Sequence, residues 1–286
     1  GLLQSRTISN HFFSVSDNVI PSLSGSFQQL VFLEEVNSEL FAALSQNRIK
    51  DLNSKKKAVK ARIAQFNETQ AQVAQTAAGN PELKASLADV EVASQQFFKI
   101  AEAVMDDRKQ TLILEFQTRQ AEIDFQSLGH TLNLWMQSLY EKGASEEVLG
   151  KAEDLIVQFR MRRFQLVDFQ RTHDINKLNT VLQDDSDSLI VALKALPSQV
   201  PSYQLLRRTI TSVNNHLYQH DGLVDYYRQQ AASAVKLKQS LQQTDQLITQ
   251  ARESMDAFIA ANNRLAGNAR DEAQKLVDVS YIGIIG

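Results

Sequence analysis

A chain of 286 residues that is 43% hydrophobic and 22% charged holds enough apolar material for one large core or two modest ones, which excludes a disordered chain. Thirty basic residues against 33 acidic ones give a net charge of −3, so no global positive field exists to draw the protein onto nucleic acid or anionic lipid. Zero cysteines exclude a disulfide framework, a thiolate metal site and a cysteine nucleophile.

The start, "GLLQSRTISN", carries no signal-peptide pattern, and no apolar run approaches the ~18 residues of a membrane span. The four prolines fall at Pro21, Pro81, Pro197 and Pro201, so 82 to 196 and 202 to 286 are free of proline and open to long helices. Leg A is expected over about 22 to 77, where Leu23, Phe27, Leu30, Leu33, Leu40 and Leu44 recur at helical spacing. Within that seam Asn37 is a polar interruption, fit to fix helix register or to touch a ligand. The run "KKKAVKAR" at 55 to 62 spreads its charges around Ala58, Val59 and Ile63 and describes a wet helix face.

Gly79-Asn80-Pro81 is a stop followed by a restart, opening leg B over about 82 to 142, with a polar interruption at "MDDRK". In "EKGAS", Gly143 caps one helix and Ser145 begins the next, with Glu146 and Glu147 in its first turn. Leg C then covers about 146 to 195, interrupted at "RTHDIN". After "LPSQVPSY", leg D runs from about 202 to 278 through Leu206, Ile210, Val213 and Leu217, then Leu241, Ile248, Met255 and Phe258. The final "VSYIGIIG" reads as the cut start of a membrane span, and both ends are expected to be trimmed juxtamembrane segments.

Tight turns make consecutive legs antiparallel, and a helix of ~55 residues is ~80 Å long at ~1.5 Å per residue. The expected fold is all-α: an elongated up-down helical rod of two stacked four-helix bundles, with legs A and D continuous. One sensor region covers 1–286, its proximal module at about 10–47, 109–171 and 231–280 and its distal module at about 48–108 and 172–230.

Arginine placement supplies the candidate site. Counted along these legs from the far turns, Arg48, Arg108, Arg171 and Arg228 fall within ~8 Å of one height, a possible set of donors for carboxylate or phosphate against a surface-charge reading. In "FRMRRFQLVDFQR" one apolar stripe, Val148, Ala152, Leu155 and Phe159, reaches Arg162 and continues to Leu166 and Phe169. A second, Leu149, Ala152, Ile156 and Phe159, reaches Arg163. One of the two therefore borders the core, where an unpaired charge is expensive and needs an acidic neighbour, Glu34 or Glu115, or an anionic ligand. His216, His220 and Asp221 could offer metal ligands on one face, but without a clear additional ligand they read as solvated polar residues. No metal or cofactor is expected. No phosphate loop, nucleophile elbow or acid–base carboxylate pair occurs, so no enzyme activity is expected.

Three segments carry a resemblance to a family: "FFSVSDNVIPSLSGSFQQL" (12 to 30), "PELKASLADVEVASQQFFKIAEAVMDDR" (81 to 108) and "AANNRLAGNARDEAQKLV" (260 to 277). Together they resemble the periplasmic ligand-binding region of a bacterial methyl-accepting chemotaxis receptor of the helical bimodular kind. That resemblance implies a homodimeric inner-membrane receptor with flanking transmembrane helices. Its periplasmic sensor would bind a small solute, often an organic acid, and signal by helix displacement. The sensor of a two-component histidine kinase, reading a ligand or a periplasmic binding protein, is the near alternative. A structural coiled rod and a helical metalloenzyme are the more distant ones.

Overall fold

The computed structural model describes residues 2–3, 6, 19–185 and 188–285, with the side chains of 181–185 and 285 excepted. The opening of the first resembling segment, 12–18, and the start of the expected proximal module, 10–18, lie outside these residues. Among the described residues every regular element is a helix, so the all-α class holds. In chain order these are α1 (Ile20–Leu44), α2 (Ile49–Ala77), α3 (Pro81–Glu141), α4 (Glu146–Thr172), α5 (Ile175–Asp185), α6 (Ser188–Lys194), α7 (Tyr203–Tyr218) and α8 (Leu223–Ile285). No helix among them is long and apolar enough to cross a membrane.

The turns follow their expected chemistry. Asn80 accepts the backbone N–H groups of Glu82 and Leu83 at 3.0 and 3.1 Å, capping α3 behind Pro81. Gly143 takes φ 67°, and Ser145 accepts the Val148 N–H at 3.3 Å to start α4. At "RTHDIN", His173 closes α4 in the left-handed region, and Asp174 accepts the Lys177 N–H at 2.9 Å to begin α5.

Three expectations of where helices run on or break are reversed, one of them leg D, which was expected to be continuous but stops at Tyr218 and restarts at Leu223. "MDDRK" does not interrupt α3, because solvated Asp, Arg and Lys are tolerated in a helix that contains no Gly or Pro at that point. Leg A, expected to be unbroken, stops at Leu44 and restarts at Ile49. Ser45 Oγ and Gln46 Nε2 both donate to the Ala42 carbonyl, at 2.8 and 2.9 Å, so side chains take the bonds that the next turn would have made.

The chain divides into two compact units, one of Gly1–Lys109 with Leu237–Gly286 and one of Gln110–Lys236. In the first unit the break at 45–48 folds α2 back along α1. The pairs Gly25 with Val73, Glu35 with Arg62 and Glu39 with Lys55 give the antiparallel register. Residues 49–77 thus belong with 20–44, not with 172–230 as the expected distal module had them. α3, from leg B, and α8, from leg D, are the helices that contribute to both units, whereas leg A lies wholly in the first.

The fold-back also changes which face of α1 is buried. The expected seam of Leu23, Phe27 and Leu30 gives way to Ser22, Ser26, Gln29, Leu33, Val36, Leu40 and Ala43, and Phe27 is half exposed. Small residues permit a close crossing: a Cβ on Gly25 would lie 2.4 Å from Val73 Cγ2. The apolar part of this core continues through Leu52, Val59, Phe66, Phe97, Met105, Met255 and Phe258, each fully buried side chain contributing ~2 kcal/mol of transfer free energy.

The second unit has one core, built on Phe125, Leu132, Leu139, Leu155, Phe159, Phe169, Leu193, Ile210 and Leu223. Trp135 enters it while its Nε1 donates to the Pro201 carbonyl at 3.1 Å, tying α3 to the turn before α7. Tyr227 of α8 is buried on Phe169 and donates to Glu122 of α3 at 2.7 Å, while Gln170 of α4 donates to it at 3.1 Å. Burial, then the Glu122 carboxylate, hold the phenol far above its ordinary range, so it stays neutral. Tyr227→Phe is expected to cost about 1 kcal/mol, read as a lower midpoint in denaturant at unchanged slope.

Candidate functional site

α4 places the candidate site. Its core face is Ala152, Leu155, Ile156, Phe159, Arg162, Leu166 and Phe169, so the stripe through Val148 and Leu155 selects Arg162 for the interior. Arg163 and Arg160 are exposed. At 1% exposure Arg162 is among the most completely enclosed large side chains of the chain. Its Nη1 donates to the Tyr218 hydroxyl and its Nη2 to Ser188 Oγ, and its Cζ sits 5.4 Å from the centre of the Tyr218 ring.

Those partners are neutral. Among the described residues no carboxylate pairs with Arg162, and its Nε, also buried, makes no hydrogen bond. Glu34, one of the expected acidic neighbours, belongs to the first unit, where Arg252 grips both of its oxygens at 2.5 and 2.8 Å. That grip holds the Arg252 guanidinium above its ordinary range, with the Glu34 hydrogen bonds the larger cause. Arg162 is thus a buried cation stabilised by hydroxyls and an aromatic face, with its Nε–H left without an acceptor. Chemically this suits a carboxylate or another small oxyanion.

Ser188 and Tyr218 lie 26 and 56 residues from Arg162 and enter from α6 and the last turn of α7. Neither was singled out from sequence, since helical periodicity reports which face is inward but not which distant hydroxyl meets it. The only advance signal was that Tyr218 follows Leu217, the last residue of leg D's upper stripe.

The other expected arginines divide between the two units, and each has partners of its own. Arg48 and Arg108 lie in the first unit, Arg171 and Arg228 in the second. Arg48 flanks α2, 3.9 Å from Asp51, and Arg108 donates to the Gln46 carbonyl at 3.0 Å. Arg171 and Lys177 share Asp168, each at 2.8 Å, and hold its carboxyl below the usual carboxylate range, Lys177 foremost. Arg228 donates to Asn179 at 2.7 Å. The common height counted from the turns assumed an unbroken leg A, and the fold-back at 45–48 removes its basis. Asn37 is half-buried on α1 in the first unit, away from the α1 core face, and its Oδ1 has no hydrogen-bond partner.

A second polar feature was not expected at all. In the first unit Ser22, Ser26, Gln29, Gln70 and Asn262 are buried, Gln29 donates to Gln70, and Gln70 donates to the Leu87 carbonyl at 3.3 Å. Buried Gln29 Oε1 and Asn262 Oδ1 have no partner. A core that keeps polar groups imperfectly satisfied gives up stability relative to an apolar one.

Of the histidines, His216 Nδ1 donates to the Ser212 carbonyl at 2.6 Å, and His220 sits 3.1 Å from Asp221. His220, Asp221 and Asp225 bring ligand atoms within 4.8 Å of one another. Their hydrogen bonds serve the turn into α8: Asp225 accepts the Asp221 N–H at 3.0 Å, which holds its carboxyl below the usual range. No protein-family model, curated protein or solved structure matches the chain.

Proposed function

We propose that this chain is the extracytoplasmic sensor region of a transmembrane chemotaxis transducer, a homodimer without enzyme activity, and that it binds a small organic anion at Arg162. The observation that carries the reading is the enclosed guanidinium whose described partners are all neutral. A carboxylate there would replace neutral acceptors with a charged one in a low-dielectric setting, where such a bond is worth most.

The same residues offer a route for the signal. Tyr218 ends α7, and α8 begins at Leu223 after one tight turn. An anion that competes for Arg162 Nη1 shifts the Tyr218 hydroxyl, and with it the turn that leads into α8. α8 is a single helix from Leu223 to Ile285, and its lower part packs Ile248, Met255 and Phe258 into the first unit. Displacements of ~1 to 2 Å in packed helices carry signals of this kind, provided the ligand prefers one packing.

One observation favours a second reading, the sensor of a histidine kinase addressed by a periplasmic binding protein: the outer face of α4 exposes Val157, Met161 and Phe164, the last by 72%. A thermal-shift screen of the purified chain against organic acids, amino acids, amines and purines separates the two. Direct sensing predicts that one class of organic acid raises the melting temperature, because a ligand at ~100 times its Kd adds ~2.7 kcal/mol. A flat response to every acid contradicts direct anion binding and leaves recognition through a binding protein.

A further inference from the structure

A cleft of about 440 Å³ lies wholly within the second unit, between α3 and α7 and against the start of α8. That volume is in the range of small-molecule sites. Its walls are aromatic: Phe125 is buried behind it, and Phe116 and Tyr226 flank it, Phe116 being 66% exposed although it is a large apolar side chain. Its charged groups are all of one sign, since Asp124 and Asp221 line it and no lysine or arginine does among the described lining residues. His216 adds to this polarity. Its Nδ1 donates to the Ser212 carbonyl at 2.6 Å.

Aromatic faces and carboxylates around a concavity without a basic group form the environment that favours a cation carrying an apolar body. An organic anion would meet two like charges here and find no donor of the Arg162 kind. We infer that this cleft binds a small organic ammonium ion, its charge drawn by the carboxylates of Asp124 and Asp221 and its apolar part against Phe116, Phe125 and Tyr226. The inference does not depend on the reading of Arg162, since the cleft uses α3, α7 and α8 whereas Arg162 lies with α6 and the end of α7. Both features meet α7, where His216 and Tyr218 are two residues apart.

The test is calorimetric titration of the purified 286-residue chain at neutral pH with 2-phenylethylamine, which is cationic, and with 2-phenylethanol, its neutral counterpart of like shape. Saturable binding of the amine is expected, with the alcohol at least about tenfold weaker, since the ion pairs and cation–π contact are available only to the amine. Asp124→Asn combined with Asp221→Asn should weaken the amine about tenfold without lowering the melting temperature of the free protein, both positions being exposed and Asn accepting the left-handed backbone at 221. Phe116→Ala, also at an exposed position, should weaken it as well. Arg162→Met should leave amine binding unchanged. Absence of saturable amine binding up to about 10 mM, equal binding of the alcohol, or undiminished binding in the double aspartate variant overturns the assignment.

Discussion

Arg162→Ala is expected to destabilise the second unit by about 3 kcal/mol, whereas Arg162→Met leaves it within about 1 kcal/mol of the parent or makes it more stable. Alanine opens a cavity between α4, α6 and α7 and takes a donor from Tyr218 and Ser188. Methionine fills much of the same volume with an apolar chain and removes a charge that has lost its water. The enclosed guanidinium gains two hydroxyl bonds and an aromatic face, but among the described residues it gains no counter-charge to offset that desolvation. Chemical denaturation of the three proteins measures the difference. If Met is as damaging as Ala, the guanidinium is a structural strut and the case for an anion site at Arg162 fails. Arg163→Ala, at an exposed position on the same helix, should change stability by less than about 0.5 kcal/mol.

Gly222→Ala is expected to cost about 2 to 3 kcal/mol and to weaken the connection between α7 and α8. A Cβ at 222 would lie 2.2 Å from the His216 carbonyl oxygen and 2.9 Å from that of Gln219. Both obstacles are backbone, so no side chain can swing aside and the turn itself must open. The Asp221 N–H bond to Asp225 and the left-handed backbone at Asp221 belong to the same turn and would be strained with it. Thermal unfolding reports the loss. Gly79→Ala and Gly267→Ala, where a Cβ meets nothing within 4 Å, serve as controls for the general effect of removing a glycine. An unchanged midpoint for Gly222→Ala would mean that the turn between Tyr218 and Leu223 is slack, which would remove it as a path from Arg162 to α8.

The helical class was legible because proline placement and three-to-four spacing act locally. The same holds for Asn80, Gly143 and Ser145, whose capping roles depend only on residues a few positions away. That one of Arg162 and Arg163 borders the core was legible for a related reason, but the choice between them was not, because the two apolar stripes share Ala152 and Phe159 and both Leu155 and Ile156 are buried. The break in leg A was not, because "SQNR" contains no glycine or proline and the apolar pattern resumes in phase at Leu52. Ending α1 there depends on the Ser45 and Gln46 side chains donating back to the Ala42 carbonyl and on Arg108 donating from α3. Once α2 folds back, close packing around Gly25 favours Ser22, Ser26 and Gln29 over the bulkier Leu23, Phe27 and Leu30. A seam chosen by hydrophobicity alone therefore lands on the wrong face. The count that gave Arg48 its height fell with it, since residue counts from a turn give a height only along an unbroken leg.

The measurement that bears most directly on the anion reading is calorimetric titration of a series of small mono- and dicarboxylates, each paired with its neutral amide, into the parent chain and into Arg162→Met. The account predicts that at least one carboxylate binds the parent saturably, that its amide binds at least about tenfold more weakly, and that Arg162→Met, folded and of near-parent stability, loses the binding. Carboxylate binding that persists undiminished in Arg162→Met, or its absence from the parent throughout the series, would contradict it.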